Sequence, residues 1–167
     1  VLVVGGETIH KDGISEHNNF GHTAEIFDPM TDEFYSVGTM SYPRTQHTAT
    51  LLPSGEVMIH GGYVGGVQSR VSSIEIFDPQ TGQFTDTGLT PEDRTLAIPI
   101  VLHDGNVLIR GGGYGGYTGE LSTTAILYFP SEQRVETIAH GLVTRYESYT
   151  PILLEDGRVL IMGGHAP

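Results

Sequence analysis

The residues best suited to chemistry in this chain gather in a few glycine-rich stretches. "ETIHKDGISEHNNFGHTA" (7–24) holds His10, Lys11, Asp12, Glu16, His17, Asn18, Asn19 and His22. His17 and His22, with Asp12 and Glu16 beside them, are candidate imidazole and carboxylate ligands for zinc or copper. A His-x4-His spacing in a loop is not a diagnostic metal signature, and the competing reading is ordinary solvated polarity. "YVGGVQSRVSS" (63–73) presents Tyr63 and Arg70, and "GYGGYTGELST" (113–123) presents Tyr114 and Tyr117. Aromatic rings in such loops suit stacking on sugar faces or gripping peptide side chains. They equally suit packing over their own framework.

Arginine recurs at a fixed interval. Arg44 and Arg94 each stand 17 residues before the first glycine of a Gly-Gly pair; in a third copy Tyr146 holds that place and Arg145 precedes it. Guanidinium forks there would bind carboxylate, phosphate or sugar hydroxyls. The structural alternative is that each arginine bonds neighbouring loop carbonyls or an adjacent acid. Arg44, Arg94, Arg145, Tyr63, Tyr114, Tyr117 and Tyr146 are therefore the ligand-binding candidates. No catalytic residue is assigned, because no paired carboxylates stand at an informative spacing for glycosidase chemistry. "GGGYGGYTGE" (111–120) lacks the following helix and the lysine of a phosphate loop.

Composition bounds what these residues can belong to. The chain has 167 residues, enough for one domain with a full core, and 23 of them are glycine. Charge stands at −12, so the basic footprint of nucleic-acid binding is missing and an anionic membrane would repel this surface. There is no cysteine, which excludes disulfides, thiolate metal sites and cysteine nucleophiles within these residues. No apolar run approaches the roughly 18 residues of a membrane span. The chain opens inside a strand pattern without an initiator Met, as expected of a segment of a longer protein. Lys11 is the only lysine, and its scarcity, with abundant Thr, Ser and Gly, leans toward an extracellular or cell-surface location over a cytoplasmic one.

What positions the candidate residues is a repeat. Gly-Gly pairs begin at Gly5, Gly61, Gly111 and Gly163, at intervals of 56, 50 and 52 residues. "EIFDPMTDEFYSVG" (25–38) recurs as "EIFDPQTGQFTDTG" (75–88) and faintly as "AILYFPSEQRVETI" (125–138). Each copy divides into four short strands, a to d. "HTATLLP" (47–53) is strand a, and "EVMIHGG" is strand b, an apolar run expected to be covered on both faces. "SSIEIFDP" is strand c, stopped by Pro79, and "QFTDTG" is strand d. The Ser54-Gly55, Asp104-Gly105 and Asp156-Gly157 pairs between a and b predict two-residue hairpins. The position before each glycine pair varies (Val4, His60, Arg110, Met162), which argues against a shared chemical role there.

Four antiparallel strands repeating at this period without helices describe the blades of a β-propeller. The glycine pair after an apolar strand, "IEIFDPQTGQF" and "PRTQH" resemble kelch repeats. "LLPSGEVMIHGG" is similar to the galactose-oxidase-like propellers of bacterial and fungal extracellular proteins. The expected fold is all-β, a kelch-type propeller with about three four-stranded blades in a partial ring. Blade 1 is placed at about 1–38, blade 2 at 44–88, blade 3 at 94–138 and the start of a fourth at 145–167. The strands count to thirteen, so further blades or another chain are expected to complete the ring. The resemblance also implies that His47 is the family's recurrent structural histidine.

In an up-and-down blade the a–b and c–d turns share one face and the longer b–c and d–a connections share the other, where function usually sits. That arrangement supports a binding module for a glycan or protein, with no cofactor and no catalytic activity in this segment alone. The resemblance also brings in a copper-radical oxidase, whose site uses a cysteine-linked tyrosine, a second tyrosine and two histidines. No cysteine is present to form it. A kelch-type carbohydrate enzyme holding a substrate carboxylate with arginine is a further alternative.

Overall fold

Each glycine pair ends a short apolar strand, and the strands around it fold into antiparallel meanders. A computed structural model of the chain describes residues 1–11, 16–64, 70–89, 94–112, 124–138 and 149–163. The described residues are all-β, and none of their elements is a helix long and apolar enough to cross a membrane. β1 (Leu2–Val4), β4 (Thr23–Asp28) and β5 (Glu33–Thr39) form a three-stranded sheet. β6 (Thr48–Leu51), β7 (Val57–His60), β8 (Ser73–Asp78) and β9 (Gln83–Leu89) form the second sheet in chain order. The third repeats that order with β10 (Ile98–Val101), β11 (Val107–Arg110), β12 (Ala125–Phe129) and β13 (Arg134–Ile138). β14 (Tyr149–Leu153) pairs with β15 (Val159–Gly163) in the last. Strands β6, β10 and β14 lie side by side, so strand a is innermost and strand d outermost.

Three local features depart from the sequence pattern. Between β1 and β4 the stretch expected to be loop carries a hairpin, β2 (Glu7–Lys11) with β3 (Glu16–Phe20). A long exposed connection can satisfy its backbone N–H and C=O groups by pairing with itself. The a–b connections hold three residues, because Leu52 N–H donates to Glu56 O at 2.8 Å and Leu102 N–H to Asn106 O at 2.8 Å. Only the glycine in each takes a positive φ, 90° at Gly55 and 84° at Gly105 and Gly157. The residue before it accepts from the backbone two residues on, as Asp104 Oδ1 does from Asn106 N–H at 3.0 Å. This is the αL-terminated three-residue hairpin. The third copy of strand c also runs one residue late: Val57 faces Phe77, while Val107 faces Tyr128.

The core lies between neighbouring sheets. Met58, Ile59, Val107 and Ile109 on the two b strands are all fully buried, as an apolar run covered on both faces should be. Met58, Ile74 and Leu52 of the second sheet pack with Ala97, Val107, Ile109, Ile126 and Tyr128 of the third. Burial of each large side chain contributes about 1.5–3 kcal/mol. On the near side of the second sheet, Phe77 and Phe84 tilt together at 4.8 Å, as Phe27 and Phe34 do at 4.9 Å in the first.

Candidate functional site

The d–a connection between β5 and β6 delivers Arg44 to a fully buried position. Its Nη1 donates to Gly61 O at 2.9 Å and Ser73 O at 3.3 Å. Its Nη2 donates to Ser73 Oγ at 2.8 Å and to Glu75 Oε1 at 2.5 Å. Glu75, equally buried, accepts Ser41 N–H at 2.7 Å on its other oxygen. The main chain of Arg44 faces the opposite way: its N–H donates to Gly21 O at 3.0 Å and its carbonyl accepts Gly6 N–H at 2.9 Å. One residue thus holds the first sheet with its backbone and the second with its side chain.

Arg94 repeats the device one sheet further on. Its Nη1 donates to Gly111 O at 2.9 Å, its Nη2 to Thr124 O at 3.1 Å and Thr124 Oγ1 at 2.6 Å. Its carbonyl accepts Gly62 N–H at 3.2 Å. The interval of 17 residues is therefore the distance along the chain from the guanidinium to the glycine carbonyl it binds. As placed, both guanidinium groups serve the joint between repeats.

His47, three residues beyond Arg44, wedges between glycine pairs: a Cβ on Gly5 would meet its ring at 2.9 Å and one on Gly62 its Cβ at 3.1 Å. Burial, then the charge of Arg44, holds its pKa below the usual histidine value. His60 is more extreme. It is 1% exposed, and burial, followed by the charges of Arg94 and Arg44, lowers its pKa from 6.5 to about 3. Between those limits the unfolded chain takes up a proton that the folded ring refuses. Stability therefore falls as pH drops through the window, by about 1.4 kcal/mol per unit, and is untouched above it. His60→Met, which installs the residue found at position 162, is expected to flatten this acid dependence. Urea denaturation of both proteins across the window measures it, and equal slopes would dismiss His60 as the source.

On the long-connection face, Tyr63 is half-buried. Its backbone exchanges hydrogen bonds of 2.9 Å with Thr45 in both directions and bridges to Arg70. Its ring meets Phe20 edge to face at 5.8 Å and 90°. Phe20 ends β3, so the hairpin of the first repeat leans on the corresponding connection of the second. His17 stands on β3 in register with His10, and His22, beyond the hairpin, is exposed. Tyr114, Tyr117, Arg145 and Tyr146 lie outside the described residues.

Glu75, Ser73, Thr124 and Phe20 are the functional partners that sequence reasoning passed over. Glu75 did leave a signal, an acid inside a strand otherwise apolar at its inner positions. Its structural counterpart in the third sheet is Ile126, while Thr124 takes the place of Ser73 as acceptor of the arginine.

These features, meandering four-stranded sheets with strand a innermost and an arginine joint at each repeat, agree with the comparisons. The Kelch motif family matches residues 43–87. Among solved structures, a fungal alcohol oxidase of the AA5 family in complex with copper superposes with a TM-score of 0.72 at 18% identity. The fold is a kelch-type β-propeller. The alignment covers 87% of this chain and 33% of the oxidase, so the propeller segment spans about a third of that protein's length. No curated protein matches the sequence.

Copper, which that oxidase holds, finds no matching donor set in the described part of this propeller. No three His, Cys, Asp or Glu side chains converge among the described residues. His47 and His60 are spent on packing, and no cysteine exists to modify a tyrosine.

Proposed function

We propose that this propeller segment is an interaction module that binds a protein or glycan on the face carrying the b–c and d–a connections. The observation that carries the reading is the Phe20–Tyr63 contact. It joins connections from two successive repeats into one continuous surface, whereas the opposite face carries only three-residue a–b turns and short c–d turns. Tyr63 is the central aromatic of that surface, with Tyr114, Tyr117 and Tyr146 assigned to it from their places in the repeat. Aromatic anchors of this kind dominate binding when they sit at the centre of a patch.

A glycan array and a displayed-peptide library, each probed with the whole chain, separate the two partner classes. Hits on either are expected to weaken at least tenfold with Tyr63→Ala, about 1.4 kcal/mol. Met30→Ala, an exposed side chain on the opposite face, should leave them unchanged. Hits indifferent to Tyr63→Ala, or no hits at all, would refute the assignment.

The second reading, part of a copper oxidase, is favoured by the structural likeness alone. Stoichiometric copper uptake by this chain with a change in tyrosine absorption would support it over the first.

A further inference from the structure

The seam between the first and second sheets differs from the seam between the second and third. At the first, Gly38 N–H donates to Gly82 O at 2.8 Å, and β5 runs against β9 along the outer rim. Val37 closes over Gly82 there, within 3.9 Å of where its Cβ would be. At the second seam the residue equivalent to Gly38 is Gly88, and a Cβ placed on it would meet nothing within 4 Å. A cavity of about 220 Å³ lies between the sheets instead.

Four equivalent positions differ between these two seams. Phe77 of the second sheet becomes Tyr128 in the third, and its partner Phe84 becomes Val135. Across the seam, Tyr35 and Val37 of β5 become Thr85 and Thr87 of β9. Every change removes apolar bulk or adds a hydroxyl, and Tyr128, Thr85 and Thr87 all line the cavity. Gln83 and Gln133 add amides to its walls, and Glu56 and Asp78 add carboxylates near the short turns.

The polar groups are set up in complementary states. Burial, then the charge of Glu56, raises the pKa of Tyr128 and keeps its hydroxyl a donor. Asp78 is held ionised by Gln80 N–H at 2.8 Å and Thr81 Oγ1 at 3.0 Å. Thr87 donates its proton to Ile74 O at 2.7 Å, which leaves its oxygen an acceptor.

We propose that this seam is a binding site for a neutral polyhydroxylated small molecule, a single sugar unit or a polyol, entering from the short-turn face. Hydroxyls that both donate and accept match a lining of amides, hydroxyls and carboxylates. The two carboxylates disfavour an anionic guest, and the polar walls disfavour an apolar one. The site is separate from the Tyr63 surface and stands or falls independently of it.

NMR titration of the whole chain with D-glucose, D-mannose and myo-inositol tests this, with D-glucuronate as the charged control. Neutral probes are expected to shift the methyl signals of Ile76, Thr85 and Thr87 with millimolar Kd, and glucuronate to bind at least tenfold more weakly. Thr85→Tyr with Thr87→Val installs the side chains of the first seam and should abolish the shift at the Ile76 methyl. Should that variant fail to fold, Tyr128→Phe with Gln133→Ala should weaken binding about tenfold. Tyr63→Ala should leave the titration unchanged. The proposal is overturned by silence at these methyls with every neutral probe, by an equal response to glucuronate, or by shifts that survive the filled seam or vanish with Tyr63→Ala.

Discussion

Arg44→Met will destabilise the folded chain by about 3–5 kcal/mol, the range found when one partner of a buried ion pair is removed. The loss comes less from the missing attraction than from what is stranded. Glu75 would keep only the Ser41 N–H, and the carbonyls of Gly61 and Ser73 would each lose a donor in a fully buried site. Arg44→Met combined with Glu75→Leu should recover the part of the loss that comes from the unpaired carboxylate, while the Gly61 and Ser73 carbonyls and the Ser41 N–H remain without these partners. Equilibrium urea denaturation followed by circular dichroism is the measurement, as the chain has no tryptophan. A loss below about 1 kcal/mol for the single variant, the range of exposed pairs, would contradict the joint described for Arg44.

Gly61→Ala is expected to be nearly as damaging. At φ 68° an L-residue already loses about 1–2 kcal/mol. The new Cβ would also stand 2.1 Å from the carbonyl oxygen of Arg94. That carbonyl cannot move freely, because it accepts Gly62 N–H. Adding an overpacking penalty of about 1–3 kcal/mol puts the total near 3 kcal/mol or more. Gly55→Ala is the control, with φ 90° and nothing within 4 Å of its Cβ, so only the backbone penalty applies. Thermal or urea denaturation of the pair separates crowding from conformation. Equal losses at both sites would show that the carbonyl contact is not what selects glycine after strand b.

The architecture was legible because its signals are local. A glycine pair, an apolar run and a proline-stopped strand each leave their mark within ten or so residues, and their recurrence supplies the register. The role of Arg44 was not, because its decisive partner Glu75 lies 31 residues away and both competing uses of a guanidinium fit the same sequence. The β2–β3 hairpin was missed because its residues alternate too weakly in polarity to announce strands. The open seam is further from view still. It involves four positions on three strands of two repeats, and a one-residue shift in strand c that the similarity of 25–38, 75–88 and 125–138 conceals.

The arginine joint also says what the transferable unit of this fold is. A segment cut from the first to the last strand of the second sheet would carry Gly61, Ser73 and Glu75 but not Arg44, which ties them to the preceding sheet. A segment running from Arg44 to just before Arg94 carries one complete joint inward and leaves one glycine pair ready to receive the next arginine carbonyl. The Kelch motif match, 43–87, starts at the residue before Arg44. Duplication or exchange in such a chain is thus least disruptive when the break falls in mid-connection, where each copy arrives with its own fastener attached.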